Sequence, residues 1–545
     1  MDTTRNRYRL ARHALTRFWH AHAWAGVTTA LLVYVMFFLG AVVLFYRPLT
    51  IWEEPLLQQS PRALSSLESA VRVAAPESDE FYLYLPSDDR ALPKVGYFLP
   101  DTTLWRMWWL DVDAGVRIPE REKAAAFVYD LHYLWHDVTG YWLQYGAGVL
   151  VFGFLLALIT GALIHLGRFG QQLFQFRPED ERRVLWSDLH KVAGVFGLPF
   201  QLVYALTGSM MVLSPLLFQL SIGPVFGGDA VRAVATAGAL VEEPPARDYG
   251  PPVAALALDE LVARARAIEP RLEVESVVYR GYRHAEGTVD VRGPIEGQPF
   301  GDGLVRLNAA TGAFEAHETP DRSTAVGTLA RWIHGLHTVE YGGPVARWVL
   351  FVLALGGCVT LLTGNWIWIE RRAAARQSRG NALLAKLTAG VGVGCFAGLA
   401  TLLLASRLLP LDMPGRIESE ELALAGMFGA WIVLALLARD TAALWWRGLA
   451  LSGVLLLLAP IAAIQHSALG LFGSGPRHAQ VLAVDSALLA AGFVLLGTAA
   501  GLRRRTRRQA SGPSTDATAE RAPDARAAQP SAVSPSGAVG AGGAS

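Results

Sequence analysis

Eight blocks of this chain are long and apolar enough to cross a bilayer, and that constraint leaves few folds open. They run over about Trp24 to Tyr46, Tyr145 to Leu166, Val192 to Leu213, Ala346 to Ile369, Leu387 to Leu404, Leu422 to Ala438, Ala443 to Ile464 and Ala479 to Gly501. Each approaches the ~20 residues that a helix needs to cross ~30 Å of hydrocarbon. A segment in hydrocarbon must satisfy its own backbone N–H and C=O groups, which selects helices. Of 545 residues, 52% are hydrophobic and 17% charged, and the apolar ones are gathered in blocks rather than at amphipathic spacing. The chain reads as a polytopic α-helical membrane protein.

Arginine sets the expected orientation. Arg5, Arg7, Arg9, Arg12 and Arg17 precede the first span; Arg168, Arg177, Arg182 and Arg183 follow the second, and Arg371, Arg372, Arg376 and Arg379 the fourth. Arg439 follows the sixth and Arg447 lies just inside the start of the seventh, and Arg503, Arg504, Arg505, Arg507 and Arg508 follow the eighth. All fall on one side, expected to be cytoplasmic together with both termini. The first span is long and lacks a small-residue cleavage site before Arg47 and Pro48, so a retained anchor is expected rather than a signal peptide. The net charge of +1 gives no reason to expect nucleic acid as a partner. Both cysteines, Cys358 and Cys395, sit inside spans, which excludes a disulfide framework and leaves them as packing residues.

Residues 47–130 and 216–331 are too polar and proline-punctuated to span, and are expected to form two small α+β domains of one type on the outer side. The first carries a helix over Ala63 to Val73, strands over Phe81 to Leu85 and Trp105 to Val112, and a turn at Asp111-Val112-Asp113-Ala114-Gly115. The second carries a helix over Leu256 to Ile268, strands over Val274 to Tyr282, Gly287 to Arg292 and Val305 to Leu307, and the turn Asn308-Ala309-Ala310-Thr311-Gly312. The remaining expected boundaries are a basic leader over 1–23 holding His13 and His20, spans with their outer approaches over 131–166 and 332–369, a third span over 192–215, and inner loops over 167–191 and 370–386. Four additional spans over 387–501 read as nearly charge-free, and 502–545 is too poor in apolar residues to fold. His284 and His317 are expected at solvated surfaces, His466 and His478 at the membrane edge.

An internal repeat carries the functional signal. The first span opens His22-Ala23-Trp24-Ala25-Gly26 and reaches Leu39-Gly40; the third opens His190-Lys191-Val192-Ala193-Gly194 and reaches Thr207-Gly208. In both, glycine follows histidine by four residues and again by eighteen. Leu131-His132-Tyr133-Leu134-Trp135-His136 precedes a span ending Thr160-Gly161, and Ile333-His334-Gly335-Leu336-His337 precedes one ending Thr363-Gly364. The chain therefore reads as two copies of helix, outer segment, helix.

On a helix of ~3.6 residues per turn and ~1.5 Å rise, His190 and Gly194 share a face, with Gly208 ~27 Å further along it. The antiparallel second and fourth spans reverse that order. Packed together, the four helices are expected to form a core with an inner site from His22 and His190 and an outer site from His132 or His136 with His334 or His337. Gly26, Gly194, Gly208, Gly161 and Gly364 are expected to leave the gap that a flat macrocycle needs, with histidine nitrogens reaching its iron. Bis-histidine ligation leaves no open position and suits electron transfer. Gly140 and Gly342-Gly343-Pro344 are expected to break the helices near the outer histidines. His165 competes at the inner site, but its counterpart four residues after Gly364 is Trp368, so the repeat does not support it. No depth collects three or four ligands with a carboxylate shell, which argues against zinc.

The HxxxG openings at His22 and His190, the Thr-Gly endings at 160/161, 207/208 and 363/364, the Leu-His pairs at His132 and His337, and the outer segments closing in Asp113-Ala114-Gly115 and Ala310-Thr311-Gly312 together resemble the PepSY-associated transmembrane proteins, also called iron-regulated membrane proteins. The resemblance covers about residues 15–375; Leu39-Gly40 stands where Thr-Gly would, and the last four spans lie outside the pattern. It implies two b-type haems on His22, His190, His132 and His337, periplasmic PepSY-like domains, and a place in the bacterial inner membrane, as in the haem-containing siderophore reductases of the family.

The expected function is transmembrane di-haem electron transfer to a periplasmic ferric chelate such as an iron–siderophore, with no catalytic residue singled out. GxGxxG after a strand is absent, so the donor is expected to be quinol or a partner reductase. The alternatives are a non-enzymatic accessory to siderophore or iron uptake, and a membrane-anchored PepSY regulator of a periplasmic peptidase.

Overall fold

A computed structural model describes residues 12–510 except 59–63, 65, 88–89, 100–103, 122, 135–139, 166–176, 178–181, 230–231, 234–248, 340, 374–377 and 464–477. In chain order, the first half holds α1 (Arg12–Val43), α2 (Tyr46–Glu53), α3 (Leu67–Ala74), β1 (Phe81–Tyr84), β2 (Lys94–Phe98), β3 (Trp105–Asp111), β4 (Val116–Pro119), α4 (Ala124–His132) and α5 (Tyr141–His165). The second holds α6 (Arg182–Phe226), α7 (Leu258–Ile268), β5 (Ser276–Arg280), β6 (Thr288–Pro294), β7 (Asp302–Asn308), β8 (Phe314–Glu318), α8 (Ala325–Thr338) and α9 (Gly343–Ala373). The chain continues through α10 (Arg379–Leu408), α11 (Arg416–Leu437), α12 (Ala442–Ala463) and α13 (His478–Ala510).

Among the described residues eight helices are long and apolar enough to cross a membrane: α1, α5, α6 and α9 to α13. Four of them close a ring in which α1 and α6 each pack against both α5 and α9. That places α1 and α6 at opposite corners. The short helices follow the same twofold plan, α4 docking on α1 and α8 on α6. The C-terminal helices attach through α10, which packs on α9 and α1 and receives a 2.8 Å hydrogen bond from the Tyr34 hydroxyl at the Gly392 carbonyl. Helices α12 and α13 come into backbone contact where a Cβ on Gly453 would lie 2.8 Å from the Gly492 carbonyl oxygen, and one on Gly492 2.9 Å from that of Gly453. Small residues at a crossing are how membrane helices gain close packing without a hydrophobic driving force. Both cysteines are buried and free.

The outer segments do not fold as two separate units. They build one eight-stranded antiparallel sheet in the order β4-β3-β2-β1-β5-β6-β7-β8, joined at its centre by β1 and β5, with Phe81 opposite Tyr279 and Tyr84 opposite Ser276. Alternation puts Phe81, Leu83, Val277, Tyr279, Val289 and Val291 on one face, where α3 and α7 cover them in a single core. The two covering helices cap each other. Asp259 of α7 accepts from the N–H groups of Leu67 and Glu68 at 2.8 and 3.0 Å, and Glu68 of α3 accepts from the Leu258 N–H at 2.9 Å. These carboxylates also sit at the positive ends of the helix dipoles.

Other elements differ from expectation. Strands β2, β4 and β8 are short and lack a run of β-branched residues. Helix α1 begins at Arg12, inside the expected leader, and α6 runs on through Pro215 to Phe226 instead of ending near Leu213. At ~1.5 Å per residue α6 is about 67 Å long, twice the hydrocarbon thickness. His317 is not a solvated surface residue: its side chain is 11% exposed and its Nε2 lies 3.3 Å from Glu269, because β8 is paired and its inner face looks toward α7. His284 lies at an isolated bridge with its Nδ1 2.9 Å from the Gly250 carbonyl oxygen. The break before α9 is present, with Val339, Gly342 and Gly343 at positive φ. His466 lies outside the described residues, and His478 opens α13.

The crossed caps make a pH-dependent prediction. Burial raises the Asp259 carboxyl, but the Leu67 and Glu68 N–H groups outweigh it and hold the carboxyl below its usual range. The folded protein therefore binds this proton less readily than the unfolded chain, and the stabilisation is lost as pH falls below the ordinary carboxylate value of about 4. Asp259→Ala should cost about 1 kcal/mol at pH 7 and show a smaller acid destabilisation than wild type, measured by thermal unfolding in detergent.

Candidate bis-histidine sites

Two imidazole pairs sit at opposite ends of the four-helix ring. At the arginine-rich end, His22 of α1 and His190 of α6 face across the ring with ring centres 6.0 Å apart and planes at 68°. At the sheet end, His132 closes α4 and His337 lies in the last turn of α8, with ring centres 6.2 Å apart and planes at 25°. The partner of His337 is thus His132. His334 points to an exposed face of α8, and His136 lies outside the described residues. His165 ends α5 at the arginine-rich end, within electrostatic reach of His190. His20 is exposed with its ring edge-on to Trp19, and the side chain of His13 is outside what the structure describes.

Three of the four rings are seated by one device. The Nδ1 of His22 donates to the Ala157 carbonyl (2.8 Å), that of His132 to the Met36 carbonyl (2.8 Å), and that of His190 to the Thr360 carbonyl (2.9 Å). In each case a glycine follows the carbonyl by four residues. A Cβ on Gly161 would come 2.9 Å from the His22 ring, one on Gly40 2.6 Å from His132 and one on Gly364 3.3 Å from His190. Because Cα–Cβ bonds tilt toward the helix N-terminus, a side chain at position i+4 covers the turn beneath it. Glycine there bares the carbonyl at i, whose second lone pair is free to accept.

The fourth ring departs slightly. A Cβ on Gly208 would lie 3.1 Å from His337, but Nδ1 bonds the Thr207 hydroxyl at 2.9 Å. That hydroxyl gives its proton to the Val203 carbonyl at 2.7 Å, so it accepts from His337. All four rings therefore carry their proton on Nδ1, leaving Nε2 as the unprotonated nitrogen. Anchoring one ring nitrogen to a carbonyl or hydroxyl is how proteins orient an imidazole for a metal and strengthen its donor power.

This corrects the expected part of the glycines. Gly161, Gly208 and Gly364 do not leave an open face; the space is taken by the imidazoles of neighbouring helices. Gly26 and Gly194 behave differently. Among the described residues nothing lies within 4 Å of a Cβ on Gly26, and only Thr360 at 3.7 Å faces one on Gly194. The turns beside His22 and His190 are the ones that remain roomy.

The fit to a metallated macrocycle can be tested on these atoms. Two imidazoles on opposite sides of one metal, with bonds of ~2.0–2.1 Å, have ring centres roughly 6 Å apart, and the pairs stand at 6.0 and 6.2 Å. Among the described residues no three His, Cys, Asp or Glu side chains converge on a metal-sized volume. A donor set of two nitrogens suits a metal whose remaining positions are filled by the macrocycle, and not a four-coordinate protein site. The residues fit the group.

The sheet also takes part. Gly335, two residues before His337, is seated against Phe300, two residues before β7, where a Cβ would meet the ring at 2.1 Å. Phe300 is edge-on to Trp332 at 4.9 Å. Helix α8 is thereby clamped between the sheet and α6.

Sequence reasoning missed Gly40 as the seat of His132 and the three carbonyl acceptors. The common offset of four between acceptor and glycine was the available signal.

These features define a multi-pass membrane protein with two paired-imidazole sites in a four-helix core. The chain belongs to the PepSY-associated TM region family, whose model matches residues 19–371. An uncharacterized protein of Pseudomonas aeruginosa is 28% identical over 299 residues, covering 50% of this chain and 72% of the relative. The match to the family ends just before α10, so the four C-terminal helices are an addition to it.

The seat geometry fixes the tautomers. In the protein freed of any cofactor and labelled with ¹⁵N-histidine, His22, His132, His190 and His337 are expected as Nδ1-protonated rings by solid-state NMR. Thr207→Val should release only His337 from that state.

Proposed function

We propose that this protein carries electrons across a membrane, with His22 and His190 holding one b-type haem and His132 and His337 a second. The observation that supports this most is that four imidazoles, at two depths, each spend Nδ1 on a neighbouring helix and stand in pairs at metal-bridging distance. When bound, the haems supply one-electron redox chemistry. Held by His22 with His190 and by His132 with His337, the groups would be suited to electron transfer rather than oxygen chemistry. Along α6, His190 and the Thr207 seat of His337 are separated by seventeen residues, about 25 Å. One pair can thus meet a donor at the arginine-rich end while the other meets an acceptor beneath the sheet.

The arginine distribution supports a cytoplasmic arginine-rich end and a periplasmic sheet in a bacterial inner membrane. The donor in this reading is quinol or a partner reductase. The acceptor is a ferric chelate such as an iron–siderophore, whose oxygen ligands release ferrous iron more readily than ferric.

The test is the visible spectrum of the purified, dithionite-reduced protein. Two haem b components are expected. His22→Ala or His190→Ala should remove one of them and His132→Ala or His337→Ala the other, each by about half of the α-band; a protein with no Soret or α-band would sink the reading. Gly161→Val, which drives a side chain into the His22 ring, should remove the same component as His22→Ala.

A further inference from the structure

The C-terminal helices read as nearly charge-free, yet they bury a network of ionisable groups against α2. Trp52 of α2 is its hub. The indole N–H donates to Asp485 of α13 at 2.7 Å, the Arg407 guanidinium of α10 lies 3.7 Å over the ring, and Arg407 also donates to the Trp52 carbonyl. Trp52, Arg407, Glu420 and Asp485 are at most 1% exposed, and Glu53 is 5% exposed. Glu420 of α11 has Arg416 2.9 Å from Oε1, but neither of its oxygens accepts a well-formed hydrogen bond, and Oδ2 of Asp485 accepts none. Ionisable groups buried without full pairing are costly to keep.

Glu53 joins this network to the sheet-end histidines. Its carboxylate accepts from the Ala125 N–H at 3.1 and 3.3 Å and so caps α4, whose own N-cap residue Lys123 makes no side-chain cap. Helix α4 ends in His132, seven residues and ~10 Å further on. Among the described residues the titratable groups that bear on Glu53 are Glu420 from α11, Arg407 from α10, Lys123 from the start of α4 and Tyr46 from its own helix α2.

We propose that Glu53 is a proton-binding site coupled to the His132–His337 pair. When that site gains one electron, the Glu53 carboxylate takes up one proton from water, forming a single O–H bond, and releases it on oxidation. The inference rests on the electron-transfer reading. Burial and the like charge of Glu420 push the Glu53 carboxyl up to about 7, against the pull of the Ala125 N–H, Arg407 and Lys123. The group is therefore poised between its two states near neutral pH. One added charge at the His132 end of α4, on the order of 10 Å from the Ala125 cap by helix rise, at an effective dielectric of about 20, shifts its proton affinity by about one pH unit. Because the reduced form binds the proton more tightly, the reduction potential falls as pH rises through that window, by about 59 mV in total for a tenfold change in proton affinity and one electron.

The test is a spectroscopic redox titration of the full-length protein from pH 5.5 to 8.5, following the component that His337→Ala removes. Wild type is expected to show a falling midpoint between about pH 6 and 8. Glu53→Gln keeps an oxygen for the Ala125 N–H and should flatten that slope with the spectrum intact, while Glu420→Gln should move the window to lower pH. Reduced-minus-oxidised infrared spectra should gain a carboxylic acid C=O band in wild type and lose it in Glu53→Gln. A wild-type midpoint independent of pH, with both haem components present, overturns the proton site alone. A wild-type slope retained in Glu53→Gln does the same. A protein without haem overturns both readings.

Discussion

The architecture depends on a hydrogen bond that an ordinary helix cannot make. Helix carbonyls are spoken for by the N–H four residues on, and the side chain at that position screens the oxygen from anything outside. Replacing that side chain with hydrogen lets an imidazole lie flat against the helix and share the acceptor. The ring is then oriented by backbone, the stiffest partner available, and not by another mobile side chain. At Ala157/Gly161, Met36/Gly40 and Thr360/Gly364 the seat belongs to a different helix from the histidine. Each bond therefore also fixes how two helices pack.

The pairing follows from the ring of helices. Because α1 and α6 occupy opposite corners, His22 and His190 meet across the interior while each is anchored on an intervening helix, α5 for one and α9 for the other. At the sheet end the same arrangement is reached through short helices. His132 and His337 come from α4 and α8, which are held by α1 and α6, in the case of α4 also by a cap from Glu53 and in the case of α8 by Phe300 beside the sheet. One depth is set by long membrane helices alone, and the other by elements that also answer to the soluble sheet and to the added C-terminal helices.

Much of this was legible in the chain. Apolar block length gave the eight helices, and the repeated His-x-x-x-Gly opening pointed to His22 and His190 as counterparts. The spacing of histidines and glycines named three of the four seats, Gly161, Gly208 and Gly364, although it suggested open space where rings now lie. Spacing within one helix cannot say which neighbour supplies the ring that fills a gap. The single sheet was hidden for a related reason: β1 and β5 lie on either side of two membrane spans, and pairing across such a distance leaves no local trace. The buried ions escaped because Arg407 and Glu420 stand just outside their apolar blocks and Asp485 is one residue within another. Only when α2 folds between α10 and α13 do they converge on Trp52.

The shared sheet bears on how the protein is made. Strand β1 is synthesised nearly two hundred residues before β5, its partner at Phe81–Tyr279, and α5 and α6 must be inserted in between. Until then the first four strands present an open edge and one half of a core, with α3 lacking the carboxylate of Asp259. An unpaired edge of this kind is a template for aggregation. Synthesis order therefore leaves the β1 edge unpaired until β5 has been made.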